Sequence, residues 1–203
     1  SVLGQALDLL RDGKPARLTQ HRDEEEARVF AQAQLLTAKP VLYVCNVDEE
    51  SAANGNAFSA RVFEKANAEG ANAVIVSAAI ESELVGMDLE ERMVFLEEMG
   101  LHETGLARII RSGYELLHLL TFFTVGPKEA RAWTVFKGAK APQAAGVIHS
   151  DFEKGFIRAE TMAYDDYVQF NGEAGAKEAG KWRSEGKEYE VKDGDIMLFR
   201  FNV

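Results

Sequence analysis

"VLYVCNVDEE", residues 41–50, runs from five apolar residues into Asn46-Val47-Asp48-Glu49. The apolar run is continuous and β-rich, the pattern of a strand covered on both faces, as in a parallel sheet. Pro40 bounds it upstream. Downstream, residues 57–69 fit a helix with Phe58, Val62, Phe63 and Ala66 turned inward, and Gly70 suits its C-cap. "NAVIVSAAIE" then supplies a second buried strand, Ala73 to Val76, ending in Ser77-Ala78-Ala79. Strand, helix and strand within about thirty residues form a βαβ unit with a right-handed crossover. Open α/β sheets bind ligands outside the carboxyl ends of their strands. Asn46–Glu49 and Ser77–Ala79 are therefore expected to face one crevice as short polar loops.

The flanks extend this picture. Residues 1–12 read as a helix with Leu3, Ala6, Leu7 and Leu10 on one stripe, stopped by Gly13 and Pro15. Asp23 opens a second helix whose Glu24-Glu25-Glu26 suits the positive end of the macrodipole. Its inward stripe is Ala27, Phe30, Ala31 and Leu35. Two more helices are expected, Leu89 to Met99 with Met93, Leu96 and Met99 inward, and Leu106 to Leu119 with Ile109, Ile110, Gly113, Leu116 and Leu117 inward. After Leu120 the pattern changes to short strands, "TFFTV" and "RAWTVF", a helical "APQAAGVIH", a strand "FIRAETMA", and a closing pair of strands about the Asp193-Gly194 turn. That order describes an α+β domain. The fold class is α/β plus α+β, with a boundary near residue 119.

Charge and composition exclude several functions. The net charge of −10 argues against broad binding of nucleic acid, which needs an electropositive surface. A local basic face remains open. Arg131, Lys137, Lys140, Lys154 and Arg158 alternate with Trp133, Phe136, Phe152 and Phe156, a mix that serves either RNA contact or a solvated face over core aromatics. "GAKEAGKWRSEGK" offers a second such surface, or a solvated loop and helix. The single cysteine, Cys45, excludes an intrachain disulfide, favours a reduced cytoplasm and reads as a core residue. His21, His102 and His118 show no metal spacing, so no metal site is expected; His118 reads as structural. His149-Ser150-Asp151 cannot form a catalytic triad from adjacent positions and reads as a helix-ending turn. No run approaches the ~18 apolar residues of a membrane span, and the start lacks the marks of a secretory signal.

Asn46-Val47-Asp48-Glu49 sits where GTPase-like folds read the purine. An amide at position 46 can tie the two loops together and reach the base. Small residues at Ala78 and Ala79 let backbone N–H groups approach it. Against the usual guanine reader Asn-Lys-x-Asp, Val47 replaces lysine and Glu49 replaces aspartate. Guanine selection should be lost, and adenine admitted through backbone contacts around Val47. On spacing alone, a strand followed by a polar turn remains the plain alternative.

"KPVLYVCNVDE", "SAAIE", "GYELLHLLTFFTVGPKEARAWTVFKGAKAPQAAGVIHSDFEKGFIRAE" and "GKEYEVKDGDIMLFRFNV" together resemble the Obg-like ATPase family, also called YchF or EngD, of the translation-factor class of P-loop proteins. The resemblance covers nearly the whole chain. It implies that residues 1–39 end a helical, coiled-coil-like insert, that 40–118 are the C-terminal part of a G-like nucleotide domain, and that 119–203 form a TGS domain of ubiquitin-like β-grasp fold. It implies ATP, with GTP accepted, and Mg2+ as cofactors, the ribosome or RNA as partner, and Asn46 and Glu49 as the family's Asn-x-x-Glu base loop. Val47, Ser77, Ala78 and Ala79 complete the purine contacts. The departure is that no G-x-x-x-x-G-K-[ST] phosphate loop occurs. Lys14 follows Gly13, but Pro15 stands where Ser or Thr would bind Mg2+. Phosphate, metal and hydrolytic residues are expected before Ser1, so no residue here is assigned a catalytic role. The alternative function is a non-catalytic TGS module that binds RNA or a protein.

Overall fold

The computed structural model describes residues 1–202, and the chain divides into two compact units, Ser1–Leu116 and Leu117–Val203.

The first unit opens with α1 (Val2–Arg11) and α2 (Glu24–Gln32). Asp23 caps α2 by accepting from the Glu26 N–H. The two helices meet through Val2, Ala6, Ala16 and Phe30. The apolar stripe expected of α1 is corrected: Leu3, Leu7 and Leu10 are exposed, because the helix packs through its small residues, Ala6 above all. Ala31 of α2 is also exposed. Strand β1 (Leu42–Asn46), helix α3 (Ala57–Ala68) and strand β2 (Asn72–Val76) follow, and β1 pairs with β2 in parallel register, Val44 opposite Val74 and Asn46 opposite Val76. Asn56 starts α3 with a capping box shared with Ser59. At its other end Glu69 accepts from the Tyr43 hydroxyl at 2.8 Å and pairs with Arg17, joining the leading helical segment to the βαβ unit.

Two inward readings fail here. Val44 is 47% exposed, so β1 is not covered on both faces; α3 and α6 pack more on β2 than on β1. Phe58, in the first turn of α3, is 77% exposed. Next come α4 (Ala78–Leu84), α5 (Leu89–Glu98) and α6 (Gly105–Leu116). Ile80, Leu84, Leu96 and Leu101 enclose their core with Ala52. Met93 faces outward at 65% exposure, and Ile110 and Leu117 are exposed as well. The inward face of α5 carries Leu96, with Phe95 and Met99 packed beside it, and Arg92 bonds the Leu84 and Met87 carbonyls, while Met93 points away.

The second unit comprises β3 (Leu119–Val125), β4 (Ala130–Phe136), α7 (Ala141–Ile148), α8 (Ser150–Lys154), β5 (Phe156–Ala163), α9 (Tyr164–Gln169), α10 (Glu173–Glu178), β6 (Arg183–Glu185) and β7 (Asp195–Phe201). One sheet orders its strands β4-β3-β7-β5-β6. β7 lies at the centre, parallel to β3 and antiparallel to β5. Helix α7 covers one face through Ala141, Ala144 and Ala145, over Phe122, Val135, Met197 and Phe199. On the other face Met162 and Ile196 pack with Ala176 of α10 and with Trp182. The expected hairpin at Asp193-Gly194 is corrected: upstream of the turn only Glu190 makes an isolated bridge, to Lys140. Side-chain bonds hold that segment instead, since the buried Asp195 carboxylate accepts from the Lys192 N–H at 2.9 Å and the Tyr189 hydroxyl at 2.7 Å. His118 is exposed at the left-handed φ of 52°, not packed on a helix face. His149 ends α7 and begins α8, where its ring accepts from the Asp151 N–H.

Candidate purine-reading site

The parallel pairing brings both strand ends to one edge. The Val47 N–H continues the ladder to the Val76 carbonyl at 2.9 Å. Beyond it the Asn46 side chain crosses between the segments, and its Oδ1 accepts from the Ala78 N–H at 2.9 Å. Asn46 thus spends its acceptor on the fold, which leaves its NH2 as the group for a ligand. Asp48 caps a short 3-10 turn by accepting from the Ser51 N–H, and that turn begins with Glu49, exposed.

Ser77, Ala78 and Ala79 need correction in their local structure. They are not a loop: Ala78 and Ala79 are the first residues of α4, and Ser77 stands at its N-cap. Ala and Glu favour helix, so strand β2 passes into helix without an intervening turn. Both alanines remain exposed. Ser77 is only 2% exposed, and its hydroxyl oxygen has no hydrogen-bond partner.

One supporting residue has no local signal in the sequence. The Glu81 carboxylate accepts from the Gly105 N–H at 2.6 Å and the Leu106 N–H at 3.2 Å. It therefore ties α4 to the N-terminus of α6, where a negative group is favoured. A side chain at Gly105 would meet Val76 at 3.1 Å, so glycine permits this close approach. Cys45 lies beside the site but is half-buried, and burial pushes its thiol up, away from the nucleophilic thiolate. Among the described residues no group of three His, Cys, Asp or Glu side chains is placed to hold a metal ion. Among the described residues no helix is long and apolar enough to cross a membrane.

The five basic residues expected to form a contact face of the second unit are not brought to one side. Arg131 lies over the Trp133 ring, 4.1 Å from its centroid, on the side packed by α7. Arg158 projects from β5 on the opposite side and shares the Glu160 carboxylate with Arg200. Lys140 pairs with Glu188. Lys137 and Lys154 are exposed. In the lysine-rich stretch, Lys177 lies 4.4 Å from the Trp182 ring centroid, and Trp182 itself packs against the sheet.

The bond from Arg200, then that from Arg158, holds the Glu160 carboxyl below its ordinary 4.5. A lowered carboxylate stabilises the fold above its ordinary value, and that contribution fades as pH falls through the lowered one. Glu160→Gln should therefore lower the urea midpoint at neutral pH and converge with the parent in acid. Parallel curves at every pH would remove Glu160 as a charged partner of the two arginines.

Residues 119–202 match the family model YchF-GTPase_C, described as a protein of unknown function (DUF933). The chain is 59% identical over 181 residues to the ribosome-binding ATPase YchF of Haemophilus influenzae, covering 89% of this chain and 50% of that protein. It is 50% identical over 204 residues to the ribosome-binding ATPase YchF of Bacillus subtilis, covering 100% of this chain and 56% of the relative. The solved structure of the Schizosaccharomyces pombe YchF GTPase aligns with a TM-score of 0.81 at 33% identity, over 98% of this chain and 53% of that one. The chain spans about half the length of the curated relatives it matches.

Proposed function

The chain belongs to the YchF family, and on that premise we propose that residues 41–79 form the purine-reading side of a ribosome-binding ATPase, with ATP preferred and GTP accepted. The observation that carries this reading is the Asn46–Ala78 bond, which ties the two strand ends together. The Asn46 amide NH2 donates to the purine. Backbone groups around Val47 meet an adenine edge, and the exposed Ala78 and Ala79 leave room for the ring. Ser77 is buried at the same strand end, so its side chain lies beneath the ring rather than against it. Glu49 stands where a guanine reader would carry aspartate, and its longer side chain is out of register with the guanine N1–H and 2-amino donors. Triphosphate and Mg2+ are held by residues outside those described here; the ion, when bound, neutralises phosphate charge. This chain's own part is to bind and orient the base.

From residue 119 onward the chain is read as a TGS domain of β-grasp fold. The mixed sheet with β7 at its centre and α7 crossing one face supports it. This domain contacts the ribosome in the cytoplasm, through RNA or protein, with Lys137 and Lys154 the basic residues most open to a partner. Arg131, Lys140 and Arg158 must first leave Trp133, Glu188 and Glu160.

Base choice tests the leading reading. In a form extended to the length of its relatives, Glu49→Asp with Val47→Lys should restore guanine contacts. Charged hydrogen bonds are worth roughly 1.5–3 kcal/mol, so the ATP/GTP affinity ratio should move toward GTP by about tenfold or more. An unchanged ratio in direct titrations would show that this loop does not read the base.

A further inference from the structure

Helix α5 presents a surface that the nucleotide reading does not use. Two apolar grooves of about 500 and 580 Å3 flank its outward ridge, and Val94 lines both. Met93 lines the first groove and is 65% exposed. Carboxylates border both: Glu90 and Glu97 on one side, Glu90 and Glu98 on the other. The helix's single cation, Arg92, is turned inward onto the Leu84 and Met87 carbonyls and neutralises none of this rim. Glu90, Glu97 and Glu98 are exposed and make no ion pair among the described residues.

We propose that this face of α5 docks a basic amphipathic helix of a protein partner. Apolar side chains at helical spacing enter the grooves beside Met93 and Val94, and flanking Lys or Arg residues meet the carboxylate rim. The charge chooses the occupant. A phosphate backbone would be repelled by Glu90, Glu97 and Glu98, and a second copy of the same face would set like charges together. Methionine suits such a surface because its flexible, polarisable side chain adapts to varied apolar partners. A helix laid in a groove is an established mode of peptide recognition.

The test uses the 203-residue chain and a labelled leucine–lysine amphipathic helical peptide, with a leucine–glutamate peptide of the same pattern as control. Fluorescence anisotropy should show the leucine–lysine peptide binding and the control not. Met93→Ser with Val94→Ser should weaken binding about tenfold or more, as loss of an interface anchor does. Both side chains are exposed, so circular dichroism should be unchanged. Glu90→Gln, Glu97→Gln and Glu98→Gln together should weaken binding and flatten its salt dependence. The same number of charges removed from α2 (Glu24→Gln, Glu25→Gln and Glu26→Gln) should leave it near the parent value. Equal loss from the α2 changes would reduce the binding to general attraction by an acidic protein and overturn the proposal. So would peptide affinity that ignores Met93→Ser with Val94→Ser. Concentration-dependent dimers abolished by those two changes would assign the face to a second copy, and would overturn it too. A form extended to the length of the relatives that no longer binds the peptide would do the same, by assigning the face to an intramolecular contact.

Discussion

Gly155→Ala is expected to destabilise the second unit by several degrees of melting temperature or more. Gly155 ends α8 and leads into β5, and its carbonyl accepts from the Asn202 N–H at 2.9 Å. A Cβ built there falls 1.9 Å from the Asn202 carbonyl oxygen and 2.8 Å from its carbon. These are backbone atoms, so no rotamer change relieves the overlap. The strand end must move. That displacement disturbs the Phe156–Phe201 pairing and the stacked Phe152 and Phe201 rings, whose centroids are 3.8 Å apart. Overpacking a well-filled site costs about 1–3 kcal/mol. In a domain of this size each kcal/mol lowers the melting point by about 4–8 °C. Both tryptophans, Trp133 and Trp182, belong to this unit, so tryptophan fluorescence follows its unfolding selectively. Gly126→Ala is the control, because its nearest neighbour would be an ordinary 3.8 Å away. If Gly155→Ala melts with the control, the close approach of Asn202 is not part of the folded protein.

The sequence showed the local elements well and their covering poorly, for a physical reason. "FIRAETMA" coincides with β5, and Asp23 marks the start of α2 by its own chemistry. Such features depend on residues within one turn of each other. Burial depends on what arrives from elsewhere. Phe58 and Met93 fit helical stripes as well as Ala66 and Leu96 do, yet no element reaches them. Leu3, Leu7 and Leu10 outweigh Ala6 in hydropathy, and still the small residue makes the contact. The central place of β7 was hidden for the same reason. Its partners β3 and β5 lie far back in the chain, and "YEVKDGD" looks locally like the arm of a hairpin.

The site divides along the same line. A polar residue at the end of a buried strand, followed by a crossover to a parallel strand, was enough to place Asn46 against Ala78. The helical start at Ser77-Ala78-Ala79 was missed and read as a polar loop, although Ile80 and Leu84 sit four apart behind a serine. Glu81 was not legible. Its partners Gly105 and Leu106 are twenty-four and twenty-five residues away, and nothing in its neighbourhood distinguishes it from a surface glutamate. The basic residues of the second unit were close in sequence, but the alternation of strands sends Arg131 and Arg158 to opposite faces.

In the proposed reading Asn46 carries two jobs on one side chain, and two substitutions separate them. Asn46→Ala removes both the acceptor for the Ala78 N–H and the amide donor. Ala78 is exposed, so water replaces the lost acceptor. Stability should then fall by only about 0.5–1.5 kcal/mol, the net worth of one hydrogen bond. Asn46→Asp keeps an oxygen for the Ala78 N–H but has no NH2, and its charge opposes the acceptor nitrogens of a purine. In a form extended to the length of the relatives, nucleotide titration should show both variants weakened, because each leaves the base without its donor. An unmet polar group in a closed site costs about 1–3 kcal/mol, so affinity should fall by about tenfold or more. The aspartate variant should also keep the parent's urea midpoint more closely than the alanine variant does. Were Asn46→Asp to bind ATP as tightly as the parent while Asn46→Ala did not, the amide would serve only to tie β1 to α4. The purine would then have to be read by backbone groups.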